Sequence, residues 1–191
     1  YSFYNCYNLL TITIPPNVTI INYNSFYNCY KLSTIILPPK LSTIYYYSFY
    51  NCSNLKSITI PETVTSIGYY AFYNCTSFTS VIIPNSVKTL NYNAFESCSN
   101  LVSIVLSNNL TQISSSLFSC CFSLSSLLIP PKVTSIQSNA FINCYNLQSI
   151  SLSEELSTIY GYCFKNCTRL SSITIPNKVN AISEYAFYNC T

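Results

Sequence analysis

The chain has 191 residues, 49% of them apolar, 16% aromatic and only 7% charged, with a formal net charge of +3. It contains no histidine, methionine, tryptophan or aspartate, which removes the usual general base, the Ser-His-Asp hydrolytic arrangement and most zinc or Walker-type sites. Eight basic residues are too few for a nucleic-acid footprint, no apolar run approaches the ~20 residues that span a bilayer, and high aromatic content with little charge excludes a disordered chain.

In chain order, the first predicted element is a short strand at Ile12-Thr13-Ile14, whose alternation gives it one buried face. Pro15 cannot donate to a ladder, so the strand ends there. A second, weaker extended segment runs from Val18 to Ile21. Asn22 to Cys29 has spacing that predicts a helical turn, with Phe26 and Cys29 pointing inward. With only Gly68 and Gly161 in the chain, tight turns of positive φ are expected near those two residues and scarcely elsewhere.

These elements recur. Phenylalanine falls at Phe3, Phe26, Phe49, Phe72, Phe95, Phe118, Phe141, Phe164 and Phe187, and a cysteine follows each three positions later, from Cys6 to Cys190. Both series have a spacing of 23 with no insertion, so eight full 23-residue units and seven further residues account for the chain. One unit cannot bury enough apolar surface to fix its own backbone and must stack on neighbours, which is the logic of a solenoid. The opening Tyr1-Ser2-Phe3-Tyr4-Asn5-Cys6 starts inside the pattern, and the expectation is a single solenoid domain, residues 1–191, forming a fragment of a longer array with any targeting signal outside it.

The unit Cys-x-x-Leu-x-x-Ile-x-Ile-Pro-x-x-Val-x-x-Ile-x-x-x-Ala-Phe, seen at Leu55, Ile58, Ile60, Pro61, Val64, Ile67, Ala71 and Phe72, resembles the BspA-like leucine-rich repeat. The resemblance implies a repeat solenoid of the leucine-rich-repeat type, with a parallel β-sheet on the concave face and short second strands and helical turns on the other side. It also implies membership of a group common among surface proteins of host-associated bacteria and protists and often linked to adhesion. Ser107 and Ser153 replace the proline, Glu96-Ser97 and Ser119-Cys120 replace Tyr-Asn, and Leu117 replaces Ala or Ser, so local irregularity is expected there without a domain boundary.

The nine repeat cysteines form a row, whereas a metal needs converging ligands, and strand spacing fits a disulfide poorly. They read as small buried hydrophobes. Cys163 takes the usual Ala place in the core. Cys120 takes the usual Asn place and is the candidate reactive thiol. The repeat asparagines, among them Asn5, Asn28, Asn51 and Asn74, read as a side-chain ladder where the coil turns. Asn17 and Asn109 lie in loop sequons and are the plausible glycan acceptors if the protein is secreted.

On the strand, one outward row runs Thr11, Thr34, Ser57, Ser80, Ser103, Ser126, Ser149, Ser172, and a second includes Ile36, Ile82, Val105 and Leu128; it reads either as plain sheet surface or as a binding face. Tyrosine is the most uneven feature, with fourteen of nineteen before residue 96. Tyr23, Tyr46, Tyr69 and Tyr92 form one row, to which Tyr47 and Tyr70 are expected to add, and Tyr4, Tyr27, Tyr50 and Tyr73 form another. The rows read either as a stabilising aromatic ladder or as a partner-binding surface, for which Tyr23, Tyr46, Tyr47, Tyr69, Tyr70 and Tyr92 are the candidates.

The functional expectation is a non-enzymatic interaction or adhesion module of a surface or secreted protein, with a protein or host-surface ligand as partner, no cofactor, no metal and no nucleic acid. The rival is an intracellular scaffold or spacer, which many free cysteines suit. The catalytic vocabulary is confined to Glu62, Glu96, Glu154, Glu155 and Glu184 with Ser, Tyr, Lys and Cys, and adjacent Glu154 and Glu155 point apart on a strand or loop. Uncapped ends predict end-to-end self-association of the isolated chain.

Overall fold

A computed structural model describes residues 1–191. Each 23-residue unit makes one coil of a parallel β-solenoid, and every strand pairs with the equivalent residues 23 positions away, as in Thr11 opposite Thr34 and Ile21 opposite Ile44. Fifty-two buried residues form one apolar cluster along its length. No helix is long and apolar enough to cross a membrane.

The three-residue strands carry the alternation read in the sequence, with Ile35, Val81, Ile104, Leu127 and Ile150 inward. Their sheet is not continuous. Thr11–Thr13 pairs with Thr34–Ile36, Ser80–Ile82 with Ser103–Val105, and Ser126–Leu128 with Ser149–Ser151, leaving three separate pairs. The weaker segments form the longer sheets. Ile20–Ile21, Thr43–Ile44, Ser66–Ile67 and Thr89–Leu90 make one four-stranded sheet, and Gln112–Ile113, Ser135–Ile136, Thr158–Ile159 and Ala181–Ile182 make the other.

The helical turns expected between Asn22 and Cys29 and at its equivalents are absent, because every element of the fold is a strand. The reason lies in the backbone. Two residues per unit sit in the left-handed region, four positions apart: Asn24 and Asn28, Tyr47 and Asn51, Tyr70 and Asn74, and so on to Tyr185 and Asn189. Two left-handed residues four positions apart break the i to i−4 bonding of a helix. Alternate amides turn instead to the next coil, so that Asn24 donates to the Tyr46 carbonyl, Phe26 to Ser48 and Asn28 to Tyr50. The intervening amides of Ser25, Tyr27 and Cys29 donate to carbonyls three residues back. This pattern repeats along the chain and makes the turn side the most continuous ladder in the molecule.

The expectation about glycine is likewise overturned. Seventeen non-glycine residues have positive φ and neither glycine does. Asparagine, whose short amide tolerates this conformation, takes most of these places. The glycines serve close approach: a Cβ on Gly68 would lie 2.7 Å from the backbone of Tyr45 and Tyr46 on the preceding coil.

Side chains lock the turn side. Phenylalanine rings stack from coil to coil with centroids 5.1–6.2 Å apart. The Asn amides form the expected ladder, with Asn28 donating to Asn5, Asn51 to Asn28 and Asn74 to Asn51 at 2.9–3.0 Å. The repeat thiols are free, and each from Cys29 onward donates to the carbonyl of the phenylalanine 26 residues earlier, as Cys52 does to Phe26 at 3.1 Å. Those from Cys29 to Cys167 are buried, as read from the sequence, but the hydrogen bond was not foreseen.

Expected irregularity concentrates around Leu117. The Phe95–Phe118 spacing opens to 6.2 Å, and the second-strand sheet breaks between Leu90 and Gln112. At Ser107 and Ser153, however, the turn survives the loss of proline. The Leu110 amide still donates to the Ser107 carbonyl, the Ser107 hydroxyl accepts from the Asn109 amide, and Ser153 does the same for Glu155.

Candidate interaction surface

The tyrosines lie on the turn side, where the left-handed ladder holds successive coils in strict register. Tyr23, Tyr46, Tyr69 and Tyr92 form a tilted stack with centroids 4.9–5.3 Å apart. Tyr4, Tyr27, Tyr50 and Tyr73 form a flatter one at 4.5–5.0 Å. Tyr47 and Tyr70 do not extend the first row as expected. They stack on each other at 5.1 Å and tilt against Tyr50 and Tyr73 of the second row, at 5.6 and 5.7 Å. The left-handed backbone at Tyr47 and Tyr70, φ 55° and 53°, turns these rings toward the residue three places on. Tyr50 and Tyr73 therefore belong to the candidate surface, and Tyr45, which meets Tyr23 at 4.7 Å, flanks it.

Of the six candidates, Tyr23, Tyr46, Tyr47 and Tyr92 are exposed, and Tyr69 and Tyr70 are half-buried. Because the rings stack between coils, the strip presents edges and hydroxyls rather than flat faces, except where a stack ends. Burial and the neighbouring phenols of Tyr73, Tyr27 and Tyr47 push Tyr50 up to about 12. Tyr70 is also raised, by burial, the Glu96 carboxylate and the neighbouring tyrosines. Tyr50 and Tyr70 are thus held as neutral hydroxyl donors at neutral pH. Four of the eight coils carry tyrosine at the first left-handed position, Tyr47, Tyr70, Tyr162 and Tyr185, and the others carry Asn24, Asn93, Ser116 and Asn139.

The sequence matches the BspA type leucine rich repeat region in six copies, over residues 1–77 and 65–191. The chain belongs to that family. BspA-type repeats thus span the whole molecule. A leucine-rich repeat protein from Bacteroides ovatus is 29% identical, with a TM-score of 0.90 over 100% of this chain and 55% of its own. One from Eubacterium ventriosum shares the fold at 24% identity and a TM-score of 0.77, over 94% of this chain and 58% of its own. The T. pallidum leucine-rich repeat protein is 28% identical with a TM-score of 0.63, over 89% of this chain and 69% of its own. The chain therefore spans little more than half the length of the first two. Among curated proteins, none matches it.

Elsewhere the BspA-type coil leaves fewer candidates. On the strand face Ile36, Ile82, Val105 and Leu128 are exposed, and a shallow cleft of about 300 Å³ opens between Ser57–Ile60, which forms no strand, and Ser80–Ile82, which pairs only with Ser103–Val105. Cys163 is fully buried and its thiol is raised well above the usual range by burial. Cys120 is half-buried and accepts from Asn143 at 3.5 Å, taking one place in the Asn ladder. Asn17 is exposed, whereas the Asn109 amide nitrogen donates to the Asn85 carbonyl at 2.8 Å, which leaves Asn17 the more accessible sequon. Glu155 pairs with Lys178 at 2.6 Å on the surface.

Proposed function

We propose that the chain is a non-enzymatic interaction module, one solenoid domain over residues 1–191, which binds a protein or host-surface ligand through its tyrosine strip and acts at the cell surface or after secretion. The observation that carries this reading is the presence of two tyrosine stacks, the second flanked by Tyr47 and Tyr70, on the turn side of the first four coils. Tyrosine supplies large contact area with few torsions to immobilise. Tyr47 and Tyr70 add two further rings beside the second stack. Membership of the BspA-type family supports a binding rather than a catalytic role.

The test replaces Tyr46, Tyr69 and Tyr92 together by serine. The variant keeps the phenylalanine core and loses binding to the protein or cell surface that retains the unaltered chain. Unchanged binding by a folded triple variant contradicts the proposal.

A further inference from the structure

Charge on the tyrosine side is sparse. At the register positions from the residue after the two-residue strand through the repeat asparagine, the only charged side chains in the chain are Glu96, Lys165 and Glu184. Lys165 reveals how these positions treat a cation. Its Nζ lies 5.2 Å from the centre of the Tyr162 ring and 5.4 Å from that of Tyr188, within the range of a cation–π interaction. Lys165 itself stands at the register position of Tyr73, between Tyr162 of its own coil and Tyr188 of the next.

In the amino-terminal coils the place of Lys165 is filled by a ring, Tyr50 between Tyr47 and Tyr73 and Tyr73 between Tyr70 and Glu96, and no lysine or arginine stands there. The stack of Tyr4, Tyr27, Tyr50 and Tyr73 ends there, because the next residue in its row is Glu96. The outer face of Tyr73 is therefore not covered by another ring. Glu96 accepts from the Asn93 amide group and, at 3.4 Å, from the Ser119 hydroxyl. A carboxylate has about four acceptor positions, so capacity for a cation remains.

We propose that the corner formed by Tyr70, Tyr73 and Glu96 receives a lysine or arginine side chain of a protein partner, held against the tyrosine rings and paired with the Glu96 carboxylate. This rests on the reading of the tyrosine strip as an interaction surface and names the chemistry it selects. The choice runs against the net charge of +3, which by itself favours an anionic partner.

The chain has no tryptophan, so tyrosine emission reports directly on the surface. Titration with acetylated, amidated hexa-arginine gives a saturable change, and hexa-glutamate gives none. Glu96→Gln weakens hexa-arginine binding about three- to ten-fold, the range expected for one lost charge-assisted contact. Glu96→Lys puts a lysine at the register position that Lys165 fills in a later coil, folds, and weakens binding about ten-fold or more. Glu62→Gln, at an exposed turn on another side, leaves binding unchanged. Equal or stronger binding of hexa-glutamate overturns the inference, as does equal weakening by Glu62→Gln and Glu96→Gln. If Glu96→Lys fails to fold, the Glu96→Gln comparison decides. Absence of hexa-arginine binding together with loss of partner binding in the triple serine variant removes this inference and leaves the surface reading standing.

Discussion

Asn51 offers the sharpest test of the turn architecture. It sits at φ 59° and its amide holds two rungs of the ladder, donating to Asn28 and accepting from Asn74, each at 2.9 Å. Replacement by alanine or by glycine removes both bonds. Each such bond contributes about 0.5–1.5 kcal/mol, and since Asn28 and Asn74 are half-buried, water takes over part of the loss. The shared cost is then about 1–2 kcal/mol. What separates the two variants is the backbone. Alanine pays about 1 kcal/mol or more for the left-handed region, while glycine pays almost nothing. Asn51→Ala is therefore expected to be less stable than Asn51→Gly by about 1 kcal/mol, a difference of roughly 0.5 M in urea midpoint for a slope near 2 kcal/mol/M. In a helical turn the order reverses, with alanine favoured by about 0.8–1 kcal/mol. Urea unfolding followed by tyrosine emission, at equal slopes, measures the order. Alanine the more stable of the two refutes the left-handed ladder.

Four further outcomes follow from the packing. Gly68→Ala is strongly destabilising in a thermal melt, since its Cβ meets rigid backbone at 2.7 Å, whereas Gly161→Ala, with a nearest atom at 3.2 Å, is mild; equal melts contradict the close approach. The buried thiols are raised by loss of solvent, Cys29 to about 11, and Cys75, Cys121 and Cys144 well above the ordinary thiol range. Above an unfolded thiol value of about 8.5 the unfolded chain therefore binds fewer protons than the native one. Stability is full below that pH and falls as pH rises through the folded values, and a flat profile from pH 8 to 10.5 in urea midpoints argues against buried thiols. At neutral pH a thiol reagent labels at most Cys6, Cys120 and Cys190, the cysteines left half-exposed. The first coil leaves Phe3, Ile12 and Val18 only partly covered around an open cavity of about 300 Å³, and residues 1–191 in isolation are expected to associate through their ends; sedimentation as a clean monomer at high concentration contradicts this.

The period, the inward residues and the strand with its proline stop were legible in the sequence because each follows from side-chain pattern. Phe26, Cys29 and Ile35 had to face inward whatever the backbone did. The turn side was misread because inward spacing alone cannot separate a helical turn from a chain of left-handed turns. Scarcity of glycine was a misleading guide where Asn28 and Asn51 supply the same conformation. The repeated asparagine was itself the signal, since an amide that both ladders and tolerates positive φ marks a turn better than a helix. Tyr47 and Tyr70 went to the wrong row for the same reason, as their direction depends on a backbone angle that sequence adjacency does not reveal. Ser107 and Ser153 kept their turns through a hydroxyl bond that a proline-based pattern does not anticipate.

Two surfaces of the solenoid compete for the role of binding face, the tyrosine strip and the exposed Ile82, Val105 and Leu128 of the strand side. The most direct measurement compares partner binding by the Tyr46, Tyr69, Tyr92 triple serine variant with that of an Ile82, Val105, Leu128 triple serine variant, both shown folded by far-ultraviolet dichroism. Binding lost in the first and kept in the second is the predicted result. Binding kept in the first and lost in the second contradicts the account.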